Sequence, residues 1–171
     1  MNKTKSGFTI VELLIVIVVI GILAAITVVA FNGVQTRANT AGALSDLKQV
    51  NSAIQLYYVD NGAYPNTSGN WQGINKEANY IPELTPTYLP SLPQSKMPDR
   101  PASSQDAPQT VTAYKAVYMY KSNGTDYKLI AHVDGLCSSV KAQRPNMIDA
   151  TRTYSAGCWA YGYWTPGAVS F

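Results

Sequence analysis

Residues 7–31 read GFTIVELLIVIVVIGILAAITVVAF, and the reading of this stretch decides the fold. From Phe8 to Phe31 it is apolar but for Thr9, Glu12 and Thr27. About 24 residues as a helix span about 36 Å, enough to cross a ~30 Å hydrocarbon core. Length and composition therefore make it a membrane span. Glu12 is the residue that does not belong. An ionisable side chain inside a span is costly and is a functional candidate by default, so the carboxylate needs a partner. Its place near the start of the helix, where the macrodipole favours an anion, meets part of that need.

Working outward, Lys3 and Lys5 form a short basic leader that stays cytoplasmic by the positive-inside tendency. An ordinary secretory signal would have a shorter apolar core without an acid and a small-residue cleavage site, here near Val28 to Ala30. A plain signal anchor explains the orientation but neither Glu12 nor Gly7. If the chain were cut between Gly7 and Phe8, the new α-amino group would lie one helical turn from Glu12. The run of glycine, phenylalanine, threonine, an apolar pair, glutamate and leucine before a long apolar helix resembles the class III signal of type IV pilins and pseudopilins. That resemblance implies cleavage after Gly7 by a prepilin peptidase and methylation of Phe8. It also implies that Glu12 pairs with the terminal amine of a neighbouring subunit during filament growth.

The chain of 171 residues suits one modest head domain on a membrane anchor. Its formal charge of +3 includes Lys3 and Lys5; without the leader, eleven basic and ten acidic side chains remain. No basic stripe follows residue 31, so charge gives no support for nucleic-acid binding, although twelve tyrosines leave room for stacking. Cys137 and Cys158 lie in the part expected to be exported. Joined in an oxidising compartment they would close a loop of about 20 residues and contribute about 3 kcal/mol; in a reducing one they would stay as thiols.

After the span, Leu44, Leu47, Val50, Ile54, Tyr57 and Tyr58 recur at steps of three and four, with Asp46, Lys48, Asn51 and Gln55 on the other face. One helix from about Phe8 to Asp60 follows, ended by Asn61 and Gly62. Asn32, Gly33 and Gly42 are its weak points, because glycine costs about 1 kcal/mol against alanine inside a helix. Many pilins carry a proline there; this chain has none, and Asn32 and Gly33 are expected to supply the flexibility instead. LYYVDNGAYP at 56–65 is similar to the helix end of major pseudopilins and several pilins. Its DNG lacks the regular acids of a calcium loop and reads as a turn.

Prolines at 82, 86, 90, 93, 98, 101 and 108 forbid long helices and central strands, so 62–111 is a connecting loop. Tyr88, Leu89 and Leu92 should anchor it, and Ser103 to Pro108 should be its most mobile part; pseudopilins show a similar passage. TAYKAVYMYK, SNGTD and YKLIAHVD form a hairpin over 112–134 about an Asn-Gly turn. In its second strand Leu129, Ala131 and Val133 face one way; Lys128, Ile130, His132 and Asp134 form the other, more polar face, where His132 is expected solvated or hydrogen-bonded. The tail, 135–171, should add one or two strands or a looped cap tied by Cys158.

No nucleophile, base and orienter occur together, no phosphate-binding glycine loop is present, and the lone His132 has no companions at metal-ligand spacing. Neither an enzyme nor a cofactor or metal site is expected. Major secretion pseudopilins imply calcium in the C-terminal loops, and this tail lacks an acidic cluster for it. The reading is an α+β, pilin-like chain: leader 1–7, assembly helix 8–31, amphipathic continuation 32–61, and a head, 62–171, with a small antiparallel sheet. By resemblance it is a type IV pilin-like subunit, held in the cytoplasmic membrane with its head exported. It would then polymerise with identical or related subunits on an assembly platform into a surface pilus for adhesion, twitching motility or DNA uptake. A pseudopilin of a type II secretion or competence machine is the alternative, and an anchored surface protein that never polymerises the third.

Overall fold

The computed structural model describes residues 9–73, 77–97, 100–101, 113–114, 116–133, 137–152 and 158–171. The expectations for Gly7, Phe8, Asp134 and Ser103 to Pro108 lie outside these residues. One helix, α1, spans Ile10–Asn61 and is helical at Asn32 and Gly33. Glycine weakens a helix but, unlike proline, removes no backbone donor. The helix stops where Gly62 takes φ +70°, the left-handed region that favours glycine. The Gly62 amide donates to Tyr58 O at 2.8 Å, and Asn61 Nδ2 to Tyr57 O at 2.9 Å, satisfying two of the last carbonyls.

The chain divides into two compact units, Met1–Ala38 and Asn39–Phe171. In the first, every residue from Ile10 to Thr27 is exposed. In the second, Ala43, Leu47, Val50, Ala53, Ile54 and Tyr57 form the buried stripe of α1. Tyr58, expected on that stripe, is 41% exposed and stacks on Tyr64 with centroids 4.5 Å apart. The stripe faces a three-stranded antiparallel sheet of β3 (Val117–Ser122), β4 (Tyr127–His132) and β5 (Ala160–Trp164), in that order, through Tyr118, Tyr120, Leu129, Ala131 and Tyr161. A two-residue pair, β1 (Arg100–Pro101) with β2 (Ala113–Tyr114), stands apart from it. The hairpin register runs from Val117 opposite His132 to Ser122 opposite Tyr127, leaving residues 123–126 as a loop in which Gly124 takes φ +92°.

Tyrosine dominates this core because its ring fills space while its hydroxyl reaches a polar partner at the edge. Tyr118 donates to Asp46 at 2.8 Å, Tyr127 donates to Asn51, and Gln55 donates to the Tyr127 hydroxyl at 2.9 Å. Asp46, Asn51 and Gln55, which periodicity placed on the face away from the apolar stripe, therefore clamp helix to sheet. Tyr120 donates to Pro65 O at 2.9 Å and Tyr80 to Pro93 O at 3.2 Å, pinning the proline loop. Within that loop Tyr80, Ile81, Leu84, Leu89, Leu92 and Met97 are buried and Tyr88 is half-buried. Proline blocks regular structure while these apolar side chains still reach the core.

The other, more polar face of the sheet is covered as well. Strand β5 pairs with β4 from Lys128 opposite Trp164 to His132 opposite Ala160. Val117, Met119, Ile130 and Ala160 form a second cluster under Trp71 and Trp164. Lys128 and Ile130, on the more polar face, are wholly buried, and His132 is half-buried beside Trp159, its ring centroid 6.2 Å away. The alternation is as expected; the cover comes from Trp71 and from the returning tail. That tail also contains a short helix, α2 (Ser138–Gln143), and 3₁₀ turns at Pro145–Met147 and Pro166–Ala168, none of which the local pattern announced. Cys137, just before α2, is bonded to Cys158, just before β5, with Cα atoms 5.5 Å apart.

Candidate functional site

The N-terminal turn of α1 is a capping box. Thr9 precedes the first helical residue and Leu13 N donates to Thr9 O at 3.3 Å. Glu12 N donates to Thr9 Oγ1 at 3.2 Å, while Glu12 Oε2 accepts from Thr9 N at 2.8 Å and from Thr9 Oγ1 at 2.7 Å. The acid that the sequence left without a local partner has one in its own chain. The signal was present in TIVE at 9–12, a threonine and a glutamate three apart before an apolar run. Both bonds fall on Oε2, and a carboxylate has about four acceptor sites. The box therefore orients Glu12 and leaves it able to take a cation from another chain.

Apart from Glu12 the helix presents apolar surface on every side, from Ile10, 86% exposed, to Ile26, 62% exposed. Thr27, the one other polar residue there, donates its hydroxyl back to Leu23 O at 3.0 Å and Ala24 O at 2.9 Å. All its backbone and hydroxyl groups can thus be satisfied internally, the condition for residence in hydrocarbon. A Cβ added at Gly21 would meet nothing within 4 Å; beside Ala24 and Ala25 it leaves a shallow place where a second helix can approach closely. A helix of this length and composition can cross a membrane.

Among the described residues no three His, Cys, Asp or Glu side chains gather as metal ligands. The calcium implied for major secretion pseudopilins does not fit the described tail. Asp149, the buried acid there, already accepts from Lys128 Nζ at 3.2 Å, Thr151 N at 3.0 Å, Thr151 Oγ1 at 2.6 Å and Arg152 at 3.0 Å. Of the sequence-predicted site residues, Glu12 lies at the start of α1, Cys137 and Cys158 are joined in the head, and Gly7 and Phe8 lie outside the described residues.

Comparison with known proteins matches residues 2–28 to a family described as the prokaryotic N-terminal methylation motif, and residues 31–131 to type II secretion system (T2SS), protein G. The type II secretion system core protein G of Klebsiella michiganensis is 34% identical over 99 residues, covering 54% of this chain and 68% of the relative. That of Aeromonas hydrophila is 32% identical over 97 residues, with the same two shares of 54% and 68%. The type IV major pilin protein PilE of Neisseria gonorrhoeae is 40% identical over 87 residues, 49% of this chain and 52% of the pilin. No solved structure matches significantly. Neither matched span passes residue 131, so α2, β5 and the disulfide lie beyond both.

Proposed function

Since the chain belongs to the type II secretion system protein G family, we propose that it is a pseudopilin, a structural subunit that polymerises through its N-terminal helix into a short filament of a secretion or competence machine. The observation that carries this reading is the helix from Ile10 to Thr27, apolar and exposed on all sides. Lipid satisfies such a surface before assembly, and other apolar helices satisfy it afterwards, so the subunit can leave the bilayer for a polymer without exposing it to water. The match to protein G over 31–131 and the relatives of that name favour this alternative over the surface pilus, which the cysteine-tied aromatic tail without an acidic cluster had placed first.

In this reading the precursor spans the cytoplasmic membrane with Lys3 and Lys5 inside. A prepilin peptidase cuts after Gly7 and methylates Phe8. Glu12, held in its capping box, meets the Phe8 amine of a neighbouring subunit. A buried pair of this kind sets register more than it adds stability, because desolvation offsets much of the attraction while an unpaired charge is strongly disfavoured. The experiment is N-terminal mass analysis of the mature chain together with Glu12→Ala as the only copy. An N-methylated Phe8 start is expected, with the variant processed yet absent from filaments; an intact Met1, or assembly unaffected by the loss of the carboxylate, overturns the reading.

A surface pilus remains a second reading because of the 40% identity to PilE. Deleting the gene separates the two. Loss of secretion of folded exported proteins with surface fibres intact supports the pseudopilin, and the converse supports the pilus.

A further inference from the structure

Lys128 lies at the centre of the sheet, on β4, and its side chain is about 1% exposed. An ammonium has three N–H donors and accepts nothing. Here all three find oxygen: Asp149 Oδ1 at 3.2 Å, Val169 O at 2.8 Å and Phe171 O at 3.3 Å. The Trp164 ring closes a fourth side, its centroid 5.5 Å from Nζ, a favourable cation–π distance. The ligating oxygens come from separate points of the chain, one just after the Pro145–Met147 turn and two after Pro166–Ala168. Carboxylate and main-chain oxygens are the ligand types that a hard divalent cation takes, but such an ion needs about six to eight of them, and the three here stand at ammonium distances.

We propose that the Lys128 ammonium is the built-in cation of the C-terminal region, filling an oxygen cage in place of a bound metal, so that docking of residues 145–171 requires no divalent ion. Charge bookkeeping supports the assignment. Asp149 is the only acidic side chain among these oxygens and it already faces Lys128 and Arg152, with Lys121 also close enough to act on Lys128. A divalent cation entering here would meet three positive side chains and one negative. Its natural ligand, Asp149, has Oδ1 taken by Lys128 and Thr151 and Oδ2 engaged by Arg152. A lysine on a central strand also cannot dissociate as an ion can, so the tail stays fastened whatever the metal content outside the cytoplasmic membrane.

This inference goes beyond the filament reading, and its test does not use assembly or secretion. Full-length chain in detergent is compared in excess calcium and in excess chelator, following the melting temperature and hydrogen exchange of residues 160–171. Equal melting temperatures and equal protection are expected. For Lys128→Met, which keeps the stem and removes the charge, loss of protection in 160–171 that calcium does not restore is expected. A chelator that lowers the melting temperature or unprotects the tail of the unaltered protein overturns the proposal, and that arm stands even if the variant does not fold. Unchanged protection in Lys128→Met overturns it as well.

Discussion

At the scale of the residue, the two acids that matter most differ in how they are held. Glu12 was conspicuous because an acid does not belong in an apolar run, and its partner Thr9 lies within the same turn. Asp149 was inconspicuous because all that defines it is non-local except Thr151 and Arg152. Burial alone would raise its pKa, but the Thr151 hydroxyl and amide, Lys128 and Arg152 outweigh burial and hold the carboxyl below the ordinary 3.8. A depressed acid contributes stability that is fully present above its unfolded value and is lost as pH falls through the folded one. Melting temperature should therefore decline as pH drops below 3.8, and Asp149→Asn should remove this part of the acid slope while lowering stability at neutral pH. Tyr118 offers a second test. Burial, then its bond to Asp46, raises the phenol's pKa well above its ordinary value. Tyr118→Phe leaves Asp46 without its 2.8 Å donor and should cost about 1–3 kcal/mol in denaturant unfolding.

At the scale of the element, periodicity carried α1, its end at Asn61 and the β3–β4 hairpin, because each is set by local backbone preference and a repeat in polarity. It did not carry β5. AYGYW at 160–164 reads as aromatic and glycine-punctuated, and the reason for Gly162 appears only in the sheet. A Cβ there would collide with the Leu129 carbonyl oxygen and come within 2.7 Å of Ile130 Cα, both in β4. These are backbone atoms that cannot move without breaking the ladder. Gly162→Ala should push β5 from β4 and destabilise the head by about 1–3 kcal/mol or more, with hydrogen-exchange protection lost first in β5.

At the scale of the whole molecule, the two units respond to different surroundings. Within the second unit the buried residues begin at Thr40 and Ala43, and the core they open is built from residues of that unit. A fragment starting at Asn39 is expected to be water-soluble and monomeric, with a melting temperature within a few degrees of the full chain in detergent; circular dichroism and sedimentation check this. The disulfide closes a separation of 21 residues and should contribute about 3 kcal/mol, so reduction, or a double Cys137→Ser, Cys158→Ser change, should lower denaturant stability by that order. The sequence by itself determined the greasy helix, its acid and threonine, the amphipathic continuation, the hairpin and an irregular proline loop. Each of these is written in spacings of one to four residues, which backbone geometry converts directly into structure. Only the tertiary structure decided that Lys128 is a buried cation rather than a solvated one, that Asp46 and Asn51 clamp tyrosines, and that the tail returns to cover the second face of the sheet. Alternation tells which side of a strand a residue takes, but whether that side meets water depends on chain arriving from tens of residues away.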